Sequence, residues 1–178
     1  MSLWLFLAAA LLLSLERVVY VWASRDPESF RAWCLHVSPV SSDTPVTVLQ
    51  KLFYGFKGIQ IVVFLGWCAW HQQGAPSALG EATLPLAVGG SLLVIGQVLN
   101  LSVFYRLGMK GVFYGNRFGE KIPWCREFPF SLCRHPQYVG TLCSIWGFFV
   151  AVRFPHDDWY LLPTLETLYY AYGAYVES

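Results

Sequence analysis

The chain has 178 residues, of which 56% are hydrophobic and only 13% charged, with a formal net charge of +1. Soluble domains carry about 25% charged residues, so the deficit names lipid as the solvent, and the length suits one domain. A balance this close to neutral excludes bulk attraction to nucleic acid. Five cysteines with no Cys-x-x-Cys spacing speak against a disulfide framework or a metal site.

The first apolar run is residues 3–23. It lacks the basic start of a leader peptide, and Glu16-Arg17 interrupts it where a small-residue cleavage site would sit. It is expected to be a retained helix that spans or re-enters the bilayer. Residues 53–70 form the second run, closed by His71-Gln-Gln-Gly. The third, residues 84–105, carries Gln97 and Asn100, amides that need partners on other helices in lipid. Gly89, Gly90 and Gly96 allow close backbone approach on it.

Residues 107–130 are rich in glycine, aromatics and basic side chains. Gly108, Gly111, Gly115 and Gly119 recur at helical spacing and would lay a glycine strip along one helix face. Ile122-Pro-Trp and Glu127-Phe-Pro-Phe read as a connector, with Trp124, Phe128 and Phe130 at headgroup level. Residues 138–154 and 159–176 follow, joined by Pro155-His-Asp-Asp, and are expected to form an antiparallel hairpin. Each arm covers roughly 25 Å, near the minimum for crossing.

The expected fold is therefore an all-α integral membrane protein of four to five transmembrane or re-entrant helices with a C-terminal hairpin. Residues 1–178 are expected to be one domain: N-terminal helices over 1–83 and the chemistry over 84–178. Arg25, Arg31 and Lys51 follow the first run, and Arg106, Lys110, Arg117, Lys121, Arg126 and Arg134 follow the third. If the first run spans, both basic loops share a side, which should be the cytosol.

The chemistry concentrates in Arg134-His-Pro-Gln-Tyr-Val-Gly. Pro136 suits the first position of a helix. Arg134 and His135 then sit at its cap, where free N–H groups favour a carboxylate or phosphate. Glu177 ends the second arm against the helix dipole and needs compensation. If the hairpin forms, Glu177 returns to the face that carries Arg134 to Tyr138. A charged, water-soluble cofactor could then meet both.

These residues resemble a family. Gly96-Gln-Val-Leu-Asn, Gly111-Val-Phe-Tyr-Gly-Asn-Arg-Phe-Gly, Ile122-Pro-Trp, Glu127-Phe-Pro-Phe, His135-Pro-Gln-Tyr-Val-Gly and Glu177-Ser178 look like the phospholipid N-methyltransferases, most closely the plant type that acts on phosphatidyl-N-methylethanolamine. The resemblance covers about residues 88–178. It implies S-adenosylmethionine as methyl donor, no metal, a phospholipid substrate, and conversion of mono- and dimethylated phosphatidylethanolamine to phosphatidylcholine in the endoplasmic reticulum membrane. In such enzymes the donor site is ascribed to a Gly-x-Gly element and a Glu-Glu pair. Here these read Val94-Ile-Gly96 and Glu177-Ser178, so Gly96 and Glu177 match. The distantly similar isoprenylcysteine carboxyl methyltransferases use an Arg-His-Pro-x-Tyr element for that donor, which fits Arg134, His135, Pro136 and Tyr138.

Glu177 and His135 are thus the catalytic candidates. Gly96, Arg134, His135, Pro136, Tyr138, Glu177 and Ser178 are the donor candidates, and Tyr114, Arg117 and Phe118 the substrate candidates. The alternatives are an isoprenylcysteine carboxyl methyltransferase-like or sterol-reductase-like enzyme and a small exporter of cationic drugs. The oligomeric state is left open.

Overall fold

The computed structural model describes residues 3–37, 44–70, 83–123 and 125–177. Among these residues there are six α-helices: α1 (Leu3–Arg25), α2 (Pro27–Val37), α3 (Pro45–Trp70), α4 (Thr83–Val112), α5 (Pro136–Val152) and α6 (Leu161–Glu177). Among the described residues there is no strand. Three helical stretches, Leu3–Arg25, Pro45–Trp70 and Thr83–Phe118, are long and apolar enough to cross a membrane. The chain is an all-α integral membrane protein. Helices α5, which is apolar, and α6 have 17 residues each and pack against each other as the expected hairpin.

Helix starts follow local chemistry. Asp26 accepts a hydrogen bond from the Ser29 backbone N–H at 3.0 Å, with Pro27 opening α2. Thr44 does the same for Thr47 ahead of Pro45, at 3.3 Å, so α3 begins there and not at residue 53. The sequence reading missed α2. It is amphipathic and too short to span, and it buries Phe30 and Cys34 against α1 and α3. All five cysteines are free thiols.

The expected glycine strip does not form. Gly108 adopts φ 61° inside α4 and Gly119 adopts φ 90°, left-handed conformations that glycine tolerates and a straight helix forbids. Between them lies a 3-10 turn, Gly115–Phe118. The four glycines therefore face different directions. Trp124, His71-Gln-Gln-Gly and Ser178 lie outside the described residues.

The tightest contact in the molecule is α4 against α5. A Cβ built on Gly96 would lie 2.5 Å from the Gly140 carbonyl oxygen, and one on Gly89 would lie 2.5 Å from that of Gly147. Gln97 Nε2 donates to Ser144 Oγ across the same seam at 3.1 Å. Side-chain loss here lets backbones touch where lipid gives no hydrophobic drive for association. In the turn that joins α5 to α6, the Arg153 guanidinium grips both oxygens of Asp158, at 3.1 and 3.2 Å.

Gly96→Ala and Gly89→Ala should each lower the thermal unfolding temperature in detergent, through overpacking worth about 1–3 kcal/mol. Gly90→Ala, whose Cβ meets nothing within 4 Å, should leave it unchanged or raise it.

Candidate functional site

The helices enclose a cavity of about 480 Å³. Glu16, Arg17 and Tyr20 come from α1, Lys57 and Gln60 from α3, and Gln97 and Asn100 from α4. Arg134 to Tyr138 enter at the head of α5, and Tyr170 and Glu177 from α6. Ile61 and Leu101 also line it while 58% and 66% exposed, and α3 barely touches α4. The cavity therefore opens sideways, between those two helices.

At one end stands Glu177. Its carboxylate faces the negative end of the α6 dipole, and two phenols compensate it. The hydroxyls of Tyr114 and Tyr138 both donate to Glu177 Oε1. Tyr114 reaches it from a left-handed backbone conformation, φ 54°, just before the 3-10 turn. The Tyr20 ring braces Tyr114 edge-on at 5.6 Å. The imidazole of His135 stacks on Tyr138 at 5.4 Å, with 14° between planes. Burial pushes the His135 pKa below its ordinary 6.5; Glu177 opposes that and Arg134 adds to it. That direction favours the neutral ring at pH 7. Its Nε2 and the Asn100 Oδ1 are buried polar atoms without a hydrogen-bond partner.

Deeper in the bundle runs a ladder of polar groups. Arg17 Nη2 donates to Glu16 Oε1 at 2.8 Å. Lys57 Nζ donates to Glu16 Oε2 and Gln60 Oε1, both at 3.1 Å, and to the Tyr170 hydroxyl at 3.3 Å. Gln60 Nε2 passes the chain to Glu166 Oε1 at 2.7 Å. The Arg17 guanidinium lies within 5.5 Å of the Tyr20 and Tyr138 ring centres and 4.0 Å from that of Tyr170.

The structure brings Arg134, His135, Pro136, Tyr138, Tyr114 and Glu177 to one cavity. It does not bring Gly96, Arg117 or Phe118 there. Gly96 is spent on the α4–α5 seam. Arg117 is exposed on the 3-10 turn, and Phe118 packs on Phe30 at 5.8 Å. Sequence reading missed Lys57, Gln60, Glu166 and Tyr170. The signal available was ionisable side chains inside apolar runs, which in lipid mark function by default.

Fold and site together describe a membrane-embedded helical bundle with its polar groups gathered around one cavity. The chain belongs to the phospholipid methyltransferase family, whose sequence model matches residues 84–178. It is 42% identical over 87 residues to a phosphatidyl-N-methylethanolamine N-methyltransferase of Arabidopsis thaliana, 49% of each chain. A protein of that name from Saccharomyces cerevisiae is 38% identical over 64 residues, 34% of this chain and 30% of the relative. The phosphatidylethanolamine N-methyltransferase of Homo sapiens is 35% identical over 85 residues, 47% and 42%. The chain thus spans about half the length, or less, of the curated relatives it matches. No solved structure matches it.

Tyr114→Phe and Tyr138→Phe should each cost about 1.5–3 kcal/mol of stability, as expected for a hydrogen bond to a carboxylate. Equilibrium unfolding in detergent measures it, and Glu177→Gln should shrink the cost of either phenylalanine.

Proposed function

We propose that the chain transfers methyl groups from S-adenosylmethionine to the amine of phosphatidyl-N-methylethanolamine and phosphatidyl-N,N-dimethylethanolamine, yielding phosphatidylcholine. The observation that carries this reading is the meeting of Glu177 with Tyr138 and the Arg134–His135 cap on one cavity, in a chain of this family. The family membership stands against the exporter, reductase and carboxyl methyltransferase alternatives. The reading includes the endoplasmic reticulum membrane, a site towards the cytosol, no metal and a single catalytic domain. The positive loops support the orientation.

The residues fit such a donor. Asn100 Oδ1 and His135 Nε2 lack partners, and a nucleoside carries the amine and hydroxyls that satisfy them. Arg134, beside the N-terminal N–H groups of α5, suits a carboxylate. When bound, the donor would supply a sulfonium methyl to the amine nitrogen, the carbon–sulfur bond breaking in line and the sulfur leaving as a neutral thioether. The protein's part is alignment, worth about 7–11 kcal/mol at most. Glu177 holds positive charge at the reacting end, fixed there by its two phenols. The rings of Tyr114 and Tyr138 shelter the ammonium by cation–π contact. An alkylammonium loses its proton near pH 10 in water; the Arg17 and Lys57 cations on the cavity wall lower that value, and Glu177 or water takes the proton before the nitrogen attacks.

Purified protein with radiolabelled donor should methylate lipids already carrying one or two N-methyl groups. Glu177→Ala should lower turnover about 10²-fold or more. A near wild-type rate would remove Glu177 from the mechanism. Transfer to no phospholipid would end the reading.

Donor binding should weaken as pH falls through the His135 pKa, which lies below that of a free imidazole, because protonated His135 adds a charge beside Arg134 and loses its lone pair. His135→Asn, which cannot titrate, should flatten that acid limb in a calorimetric titration.

A further inference from the structure

The wall of the cavity facing α4 and α5 comes from α1 and α3, outside the region matched by the family. On it sits a guanidinium with more donors than acceptors. Arg17 is only 6% exposed. Of its five N–H donors, the structure pairs one, to Glu16. Three tyrosine rings hold the rest of the group in place without accepting its protons in the plane. Lys57 adds a second cation to the same carboxylate. With Glu16 shared by two cations, the groups that line the cavity at this point carry one positive charge in excess. Glu166, hydrogen-bonded to Gln60 and near enough to act on both cations, offsets that charge from behind the wall and does not itself line the cavity.

We propose that Arg17, backed by Lys57, forms an anion subsite that takes the phosphodiester of the lipid head group. The proposal rests on the methyltransferase reading and names the part of the substrate that reading left unheld. Three observations converge on a phosphodiester. The cavity opens sideways between α3 and α4, past exposed Ile61 and Leu101, where acyl chains must lie. A buried guanidinium with spare forked donors matches phosphate oxygens better than an ammonium does. The spacing also suits the head group. Arg17 Nη1 lies 3.5 Å from the Cβ position of Gly173, and Glu177 is one helical turn further along α6, about 6 Å by rise. An ethanolamine link of two carbons, anchored by its phosphate at Arg17, carries its amine towards Glu177. The subsite would thus fix where the nitrogen sits.

The donor's carboxylate has the same chemistry as a phosphodiester, so the test separates them. Lipid KM, as mole fraction of phosphatidyl-N-methylethanolamine in detergent micelles, and donor dissociation constant, by calorimetry, are measured for wild type and Arg17→Gln. Ligand-induced rises in unfolding temperature are read in parallel for lipid and for donor. The expected result for Arg17→Gln is a lipid KM raised about tenfold or more, the loss of one good charged contact. Donor affinity should stay within twofold, and only the lipid-induced stabilisation should disappear. Weakened donor binding with an unchanged lipid KM would assign the anion to the donor and overturn the proposal. Unchanged values for both would overturn it as well. Arg17→Lys keeps the charge and loses the fork, so it should fold even where Arg17→Gln does not, and should raise the lipid KM severalfold; an unchanged KM there is equally fatal. Lipid stabilisation of the wild type without methyl transfer would leave the subsite standing and remove the enzymatic reading.

Discussion

Charge inside a bilayer must find its counter-charge inside the protein. That constraint organises this molecule. Arg17 and Lys57 meet at Glu16, and Lys57 reaches Glu166 through a glutamine. The ladder ties α1, α3 and α6 into one unit. Removing a member of a buried pair typically costs about 3–5 kcal/mol, because the partner is left charged and alone. Apart from Glu166, the groups that hold these helices together also line the cavity. Packing and recognition therefore draw on the same side chains.

The opposite wall is built by different means. The α4–α5 seam has almost no side chains between its backbones at Gly89, Gly96, Gly140 and Gly147. Such a seam has little freedom to slide; Gly140 is held against Asn100 on α4, and His135 and Tyr138 at the head of α5 share the cavity with Asn100. Glu177 is then locked to this wall by Tyr138 and to the 3-10 region by Tyr114. One wall is rigid through contact and the other through charge. Between α3 and α4, where neither device operates, the cavity is open.

Much of this was legible in the sequence. Apolar runs gave the spanning helices because the bilayer sets a length that few soluble helices reach. Pro136 after Arg134-His135 marked a helix start, and the hairpin then obliged Glu177 to return beside it. The rest was not legible, for identifiable reasons. Helix α2 has no spanning length. Gly108 could serve a straight helix or break one, and only its φ decides. Gly96 fits a donor motif and a packing motif equally well by letter; its neighbours Gly140 and Ser144 show the second. The ladder joins residues 41 and 106 positions apart, and no local pattern announces such pairs.

The arms of the hairpin carry one more implication. At 17 residues each they extend about 25 Å, whereas α3, with 26 residues, extends about 39 Å. No flat slab matches both. A thin bilayer of about 27 Å suits the hairpin and asks α3 to tilt; one of about 32–33 Å would pull the Arg153–Asp158 turn towards hydrocarbon. Hydrophobic mismatch thus gives this fold an energetic preference among membranes of different thickness.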